Sequence, residues 1–174
     1  SSPNINQLEY GIKIDGNPLF LAHSGATISD PQYIISSTDG INYSISNSSI
    51  FCTKLLYANG WFFAFTTTNV IRTQDGTTWE TVSTLPQVGS KAWKFAAFGN
   101  NTIVVFSETG TQNCAVSYNY GSSWEQYVSP EDFSDLVFDG TKFVAVAPAT
   151  SKSYYSADGK NWTVGNSSTS IDLL

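Results

Sequence analysis

"SADGKNW", residues 156–162, decides how this chain folds, because the phrase returns three times. Residues 37–43 read "STDGINY", 73–79 "TQDGTTW" and 117–124 "SYNYGSSW". Each opens on a hydroxyl residue. Asp or Asn follows two positions on, then a Gly, then an aromatic three positions after that Gly. The Asp and Asn positions are Asp39, Asp75, Asn119 and Asp158. Their mean spacing is about 40 residues, the period of propeller blades.

A second signal runs out of phase with the first. Residues 14–22 read "IDGNPLFLA", 57–65 "YANGWFFAF", 98–106 "FGNNTIVVF" and 138–146 "FDGTKFVAV". Each is an apolar residue, a tight Asn/Asp/Gly turn and a strongly β-forming run. Asp-Gly and Asn-Gly favour primed hairpin turns, which need positive φ. Each period therefore holds two hairpin corners and four antiparallel strands, lettered A to D. The expectation is an all-β β-propeller of four-stranded antiparallel blades, as a single domain over 1–174. Blades are expected at 7–46, 50–83, 92–128 and 133–165, their fourth strands at 42–46, 78–83, 123–128 and 161–165, with 166–174 as an extra strand or tail. The runs "WFFAFT" and "TIVVFS" are apolar on both faces, as for strands sandwiched between neighbouring blades. No window shows apolar residues at helical spacing.

Composition narrows the function classes. The chain has 174 residues, only 13% charged, 14% aromatic, with net charge −6. Eight Lys and Arg in an acidic chain make a poor nucleic-acid binder, since phosphate neutralisation needs clustered cations. No apolar run approaches the ~20 residues that span a bilayer, so no membrane insertion is expected. One His and two Cys, His23, Cys52 and Cys114, fit no common zinc spacing, and neither metal nor cofactor is expected. The two cysteines read as free buried thiols, with a disulfide left open. The chain has no Met, which reads as a piece of something longer.

"SADGKNW" and "SYNYGSSW" resemble Asp-box, or BNR, repeats, found in sialidases and in many unrelated propellers. The phrase "FDGTKFVAVA…YSADGKNW" also resembles repeats of phage tail and fibre proteins and of secreted bacterial propellers. The resemblance implies that the box is a structural corner between the two outer strands. There Asp39, Asp75, Asn119 and Asp158 accept backbone N–H bonds, as in an Asx-turn. Tyr43, Trp79, Trp124 and Trp162 then pack between adjacent blades. Trp93 reads as core. Trp61, directly after Asn59-Gly60, reads as partly exposed.

Three classes of function remain. Sialidases hold the substrate carboxylate with three Arg, and this chain has one, Arg72. A single guanidinium cannot form that clamp, and Lys lacks its forked geometry. The chain is therefore read as not an enzyme; a glycoside hydrolase fragment is the remote alternative. The second class, a surface-recognition module for a glycan or host-cell receptor, is the main expectation. Its binding groups would sit in the B–C and D–A loops, at His23, Asp30, Asn69, Glu108, Asn113, Asp132 and Lys152. The third class is a structural or decoration module of a virion or extracellular assembly, contacting only other protein subunits. Residues 171–174 resemble the start of a further strand A. A fragment of a larger propeller, a four-bladed ring with a tail strand, and two chains sharing one ring all stay open.

Overall fold

The computed structural model describes residues 5–24, 32–47, 49–87, 92–108, 110 and 112–165. The tail at 166–174 and Asp30 lie outside the described residues. The chain divides into two compact units, Ser1–Ser83 and Thr84–Leu174.

Each unit carries two four-stranded antiparallel sheets, so the protein is all-β with four such sheets. The first sheet is β1 Ile5–Ile12, β2 Pro18–Ser24, β3 Ile34–Ser37 and β4 Ser44–Asn47. The second is β5 Lys54–Ala58, β6 Trp61–Phe65, β7 Asn69–Thr73 and β8 Glu80–Thr84. The third is β9 Trp93–Gly99, β10 Thr102–Ser107, β11 Asn113–Ser117 and β12 Glu125–Val128. The fourth is β13 Asp135–Phe138, β14 Phe143–Ala147, β15 Lys152–Ser156 and β16 Thr163–Val164. Within every sheet the strands pair in chain order.

Two details depart from the sequence expectation. The fourth strand of each sheet starts two residues late, at 44, 80, 125 and 163 rather than 42, 78, 123 and 161. The box Asp or Asn takes backbone N–H groups at those positions, which removes them from the ladder. A one-turn 3-10 helix also stands at Pro148–Thr150, where none was expected. Proline at its first position pre-sets φ for such a turn.

The register comes from the box hydroxyls. Ser37 pairs with Phe20, Thr73 with Phe62, Ser117 with Ile103 and Ser156 with Phe143. Phe20, not Leu19, is therefore the counterpart of Phe62. The first hairpin loop spans residues 13–17, whereas the second spans only Asn59-Gly60. Asn59 and Gly60 both have positive φ, 49° and 82°, as a primed turn requires.

Each sheet has a front face, carrying these Phe or Ile residues, and a back face. In the first unit the front of the second sheet packs on the back of the first. Leu55, Phe62 and Ala64 meet Leu19, Leu21 and Ile34 in one buried cluster. In the second unit the front of the fourth sheet packs on the back of the third. Leu136, Phe143 and Ala145 meet Val104, Phe106 and Val116. One contact recurs in both units. The Tyr57 ring lies where a Cβ on Gly11 would fall, and the Phe138 ring does the same at Gly99. Cys52 and Cys114 are buried and free. Burial pushes both thiols up to about 12. Trp93 is buried, and its indole N–H donates to Pro86 O at 3.1 Å.

Candidate functional site

The box turns are built alike. Ser37 Oγ donates to Asp39 Oδ1 at 2.8 Å and accepts the Gly40 N–H at 2.9 Å. Asp39 Oδ1 accepts the N–H groups of Ile41 and Asn42, both at 2.8 Å. The pattern repeats at Thr73–Asp75 and at Ser156–Asp158. Asn119 plays the part with its amide oxygen, accepting Ser123 N–H at 2.9 Å. The extra residue there, Tyr120, takes φ 54°.

These bonds favour the ionised carboxylate. The Asn42 backbone N–H, its side-chain amide, the Ile41 N–H and the Ser37 hydroxyl hold Asp39 well below the usual carboxylate range. Burial pushes Asp158 up, but the N–H groups of Asn161 and Lys160 outweigh it and bring it to about 2. At Asp75 burial also pushes up. The Thr78 and Thr77 N–H groups and the Thr73 hydroxyl override it and depress the group strongly.

The second box does something the others do not. Trp61, Gln74, Asp75, Thr78 and Glu80 line an open cleft of about 270 Å³. The positions follow from the fold. Trp61 opens β6 after its two-residue turn, Gln74 to Thr78 form the box turn, and Glu80 opens β8. The Arg72 guanidinium lies 3.9 Å from the Trp61 ring centre. Its Nε donates to Glu80 Oε1 at 2.7 Å. The sole Arg of the chain is thus sandwiched between a ring and a carboxylate at the edge of the cleft.

None of the described loop residues expected to bind lines this cleft, and Asp30 lies outside the described residues. His23 sits on β2 and is buried; burial lowers its pKa. Asn69 closes a turn, with its N–H on Thr66 Oγ1 at 2.8 Å. Glu108 stands 3.9 Å from Lys94 Nζ. Asn113 Oδ1 accepts from Gln126 Nε2 at 3.1 Å. Asp132 Oδ1 accepts the Gln112 N–H at 2.9 Å, tying a D–A loop to a B–C loop. Lys152 is exposed at the start of β15. The box aromatics divide. Trp79 and Trp162 pack on the cores of their units, Trp124 is half-buried, and Tyr43 is 39% exposed.

Sequence reasoning had singled out Trp61 and Asp75 but missed Arg72 as a neighbour, along with Gln74, Thr78 and Glu80. The signal was present in "RTQDGTTWE", residues 72–80, where the only Arg leads into a box and a Glu leaves it. Among the described residues, no three of His, Cys, Asp and Glu gather into a metal-binding group. Nor, among the described residues, is any helix long and apolar enough to cross a membrane.

No protein-family model matches the sequence, and no curated protein matches it. Solved structures do match. Virginiamycin B lyase from Staphylococcus aureus gives a TM-score of 0.67 at 13% identity, over 92% of this chain and 55% of that one. YCF48 bound to D1 peptide gives 0.55 at 13% identity, over 92% and 66%. Penicillium chrysogenum α-L-arabinanase complexed with arabinobiose gives 0.50 at 13% identity, over 94% and 64%. The chain thus spans between half and two thirds of these three solved chains. At such identities the likeness is one of fold, and it corrects one expectation. A lyase and an arabinanase share this fold, so the reading as a non-enzyme does not stand. The missing three-Arg clamp argues only against a sialidase-type site. The comparisons make the chain a propeller-fold protein, similar at a distance both to a protein captured with a peptide and to enzymes.

Proposed function

We propose that the chain is an interaction module whose blades act together to contact protein partners in a virion or extracellular assembly. The Trp61 cleft is its contact site for a polypeptide segment. The observation that carries this reading is the Arg72 guanidinium stacked on the Trp61 ring. The guanidinium occupies one face of the ring and so narrows the aromatic platform on which a sugar could stack. The lining of Gln74, Asp75, Thr78 and Glu80 offers mainly acceptors, which suits backbone N–H groups and basic or amide side chains. An open cleft fits an extended segment better than a small enclosed ligand. The YCF48 structure, which holds a D1 peptide, supports a peptide-binding use of this fold. The placement in a virion or extracellular assembly rests on the repeat phrasing and on the hydroxyl-rich, Lys-poor composition.

The test is a peptide array and a glycan array probed with one preparation of the chain and with Trp61→Ala and Gln74→Ala. Peptide capture that disappears in Trp61→Ala, with an unchanged melting curve, supports the reading. Capture that survives both substitutions overturns the site. Glycan capture with the same dependence on Trp61 returns the surface-glycan reading in its place.

A further inference from the structure

The residues that make the Trp61 cleft are not part of the repeat. The shared register gives Trp61, Arg72, Gln74 and Glu80 a counterpart in each of the other sheets. The first sheet carries Leu19, Ser36, Thr38 and Ser44 at those places, and the fourth carries Lys142, Tyr155, Ala157 and Thr163. The box turns of both sheets form without the set, so the corner does not require it.

Hydrogen-bonding capacity in the cleft divides into committed and open groups. Asp75 Oδ1 takes the Thr73 hydroxyl and the Thr77 and Thr78 N–H groups, and the Thr78 side chain bonds to the same carboxylate. Both residues are therefore committed to the turn. Arg72 carries five N–H donors and commits one, Nε, to Glu80 Oε1 at 2.7 Å. Stacking on Trp61 fixes the guanidinium plane, and the N–H groups of its two terminal nitrogens meet no acceptor among the described residues. The Gln74 amide and Glu80 Oε2 are likewise without a partner among the described residues. The Glu80 side chain is 55% exposed.

Charge decides what these open groups fit. Arg72 and Glu80 are opposite charges in contact, and Asp75 is held ionised on the same cleft wall. A ligand carboxylate aimed at Arg72 also meets Glu80 and Asp75, and a ligand cation aimed at Glu80 also meets Arg72. A neutral amide meets neither repulsion. Main chain offers one N–H and one C=O per residue, the mixture of acceptor and donor that this set of open groups complements.

Given the peptide reading of the cleft, on which this inference rests, we propose that the cleft recognises the main chain of an extended, uncharged stretch and not a particular side chain. The terminal nitrogens of Arg72 donate to a backbone C=O, Glu80 Oε2 accepts a backbone N–H, and the Gln74 amide does both. Trp61 packs on the apolar part of a side chain. An extended segment turns its N–H groups to opposite sides at alternate residues, so only one side of it is read.

The test is an array of short peptides of varied sequence, probed with the full chain. Each peptide is printed unmodified, N-methylated at odd residues and N-methylated at even residues. Among captured peptides, one methylation frame is expected to lower capture about tenfold, because it removes donors and leaves acceptors in the cleft unmatched. The other frame should bind nearly as the unmodified peptide does. Exchanging charged residues of the peptide for Gln should leave capture within about threefold. Glu80→Gln keeps an acceptor and should cost about threefold or less, whereas Gln74→Ala should cost about tenfold. Capture that ignores methylation in both frames, yet disappears in Trp61→Ala, overturns this inference and leaves the peptide reading standing. So does capture that needs one charged side chain and is lost in Glu80→Gln. Equal loss in both frames also overturns it, since steric exclusion by the methyl groups then explains the loss. No capture of any unmodified peptide overturns both readings.

Discussion

The box turns at Asp75 and Asp158 share a scaffold and differ in everything placed around it. Both hold a carboxylate by two backbone N–H groups and a β-strand hydroxyl. Around Asp75 stand Trp61, Arg72 and Glu80, and a cleft opens. Around Asp158 the Trp162 ring turns inward onto Phe106 and Phe133, at 5.4 and 5.1 Å, and its N–H closes on Gly159 O at 3.0 Å. Trp79, the counterpart in the second box, also packs on its core, but its buried indole N–H has no partner among the described residues. The repeated residues make the corner. The residues around it, Trp61, Arg72 and Glu80, decide whether a cleft opens beside the corner.

The largest expected effect separates the two turns at their glycines. Gly159 has φ 76°, and a Cβ there would collide with the β-branched Val104 in the core. Gly159→Ala is expected to cost about 3 kcal/mol in urea unfolding, from overpacking plus left-handed strain. Gly76, at φ 80°, would meet the flexible end of Leu21 at 2.9 Å. Gly76→Ala should therefore cost less, about 2 kcal/mol. Equal losses would mean that the core contact at Gly159 adds nothing.

Asp158→Ala comes next, at about 2 kcal/mol, because it strips charge-assisted bonds from backbone N–H groups. A pH series sharpens this. Asp158 is depressed to about 2 in the fold, so its contribution is complete above the unfolded carboxylate pKa of about 4. The unfolded chain binds more protons between these values, and stability falls as pH drops from about 4 towards 2. Asp158→Asn should flatten that slope in the denaturation midpoint, whereas an unchanged slope assigns the acid sensitivity elsewhere. The smallest effect belongs to the cleft. Arg72→Ala removes an exposed ion pair and a cation–π contact, and should shift stability by no more than about 1 kcal/mol. A larger loss would make Arg72 part of the scaffold and not of a contact site.

Much of the fold was legible because each repeat states its own corners. Asn59-Gly60 dictated a primed turn, and the Ser/Thr–Asp–Gly phrase dictated the second corner. The strand starts were misplaced by two residues because a side chain, not a ladder partner, takes the N–H groups there. In the phrases at 14–22 and 57–65 Leu19 falls level with Phe62, because the longer loop at 13–17 hides the one-residue shift. The cleft was harder to read. Trp61, Arg72 and Glu80 meet only because β6, β7 and β8 lie side by side, and no local pattern announces a cross-strand triplet. Burial of His23 was equally invisible, since one residue separates strand from loop.

The two thiols give the molecule a built-in clock. Cys52 lies in the first unit and Cys114 in the second, both buried and protonated. A thiol reagent reaches either only when its own surroundings open. Labelling kinetics followed by peptide mass therefore time the opening of each half separately, in the unmodified chain and without an added probe.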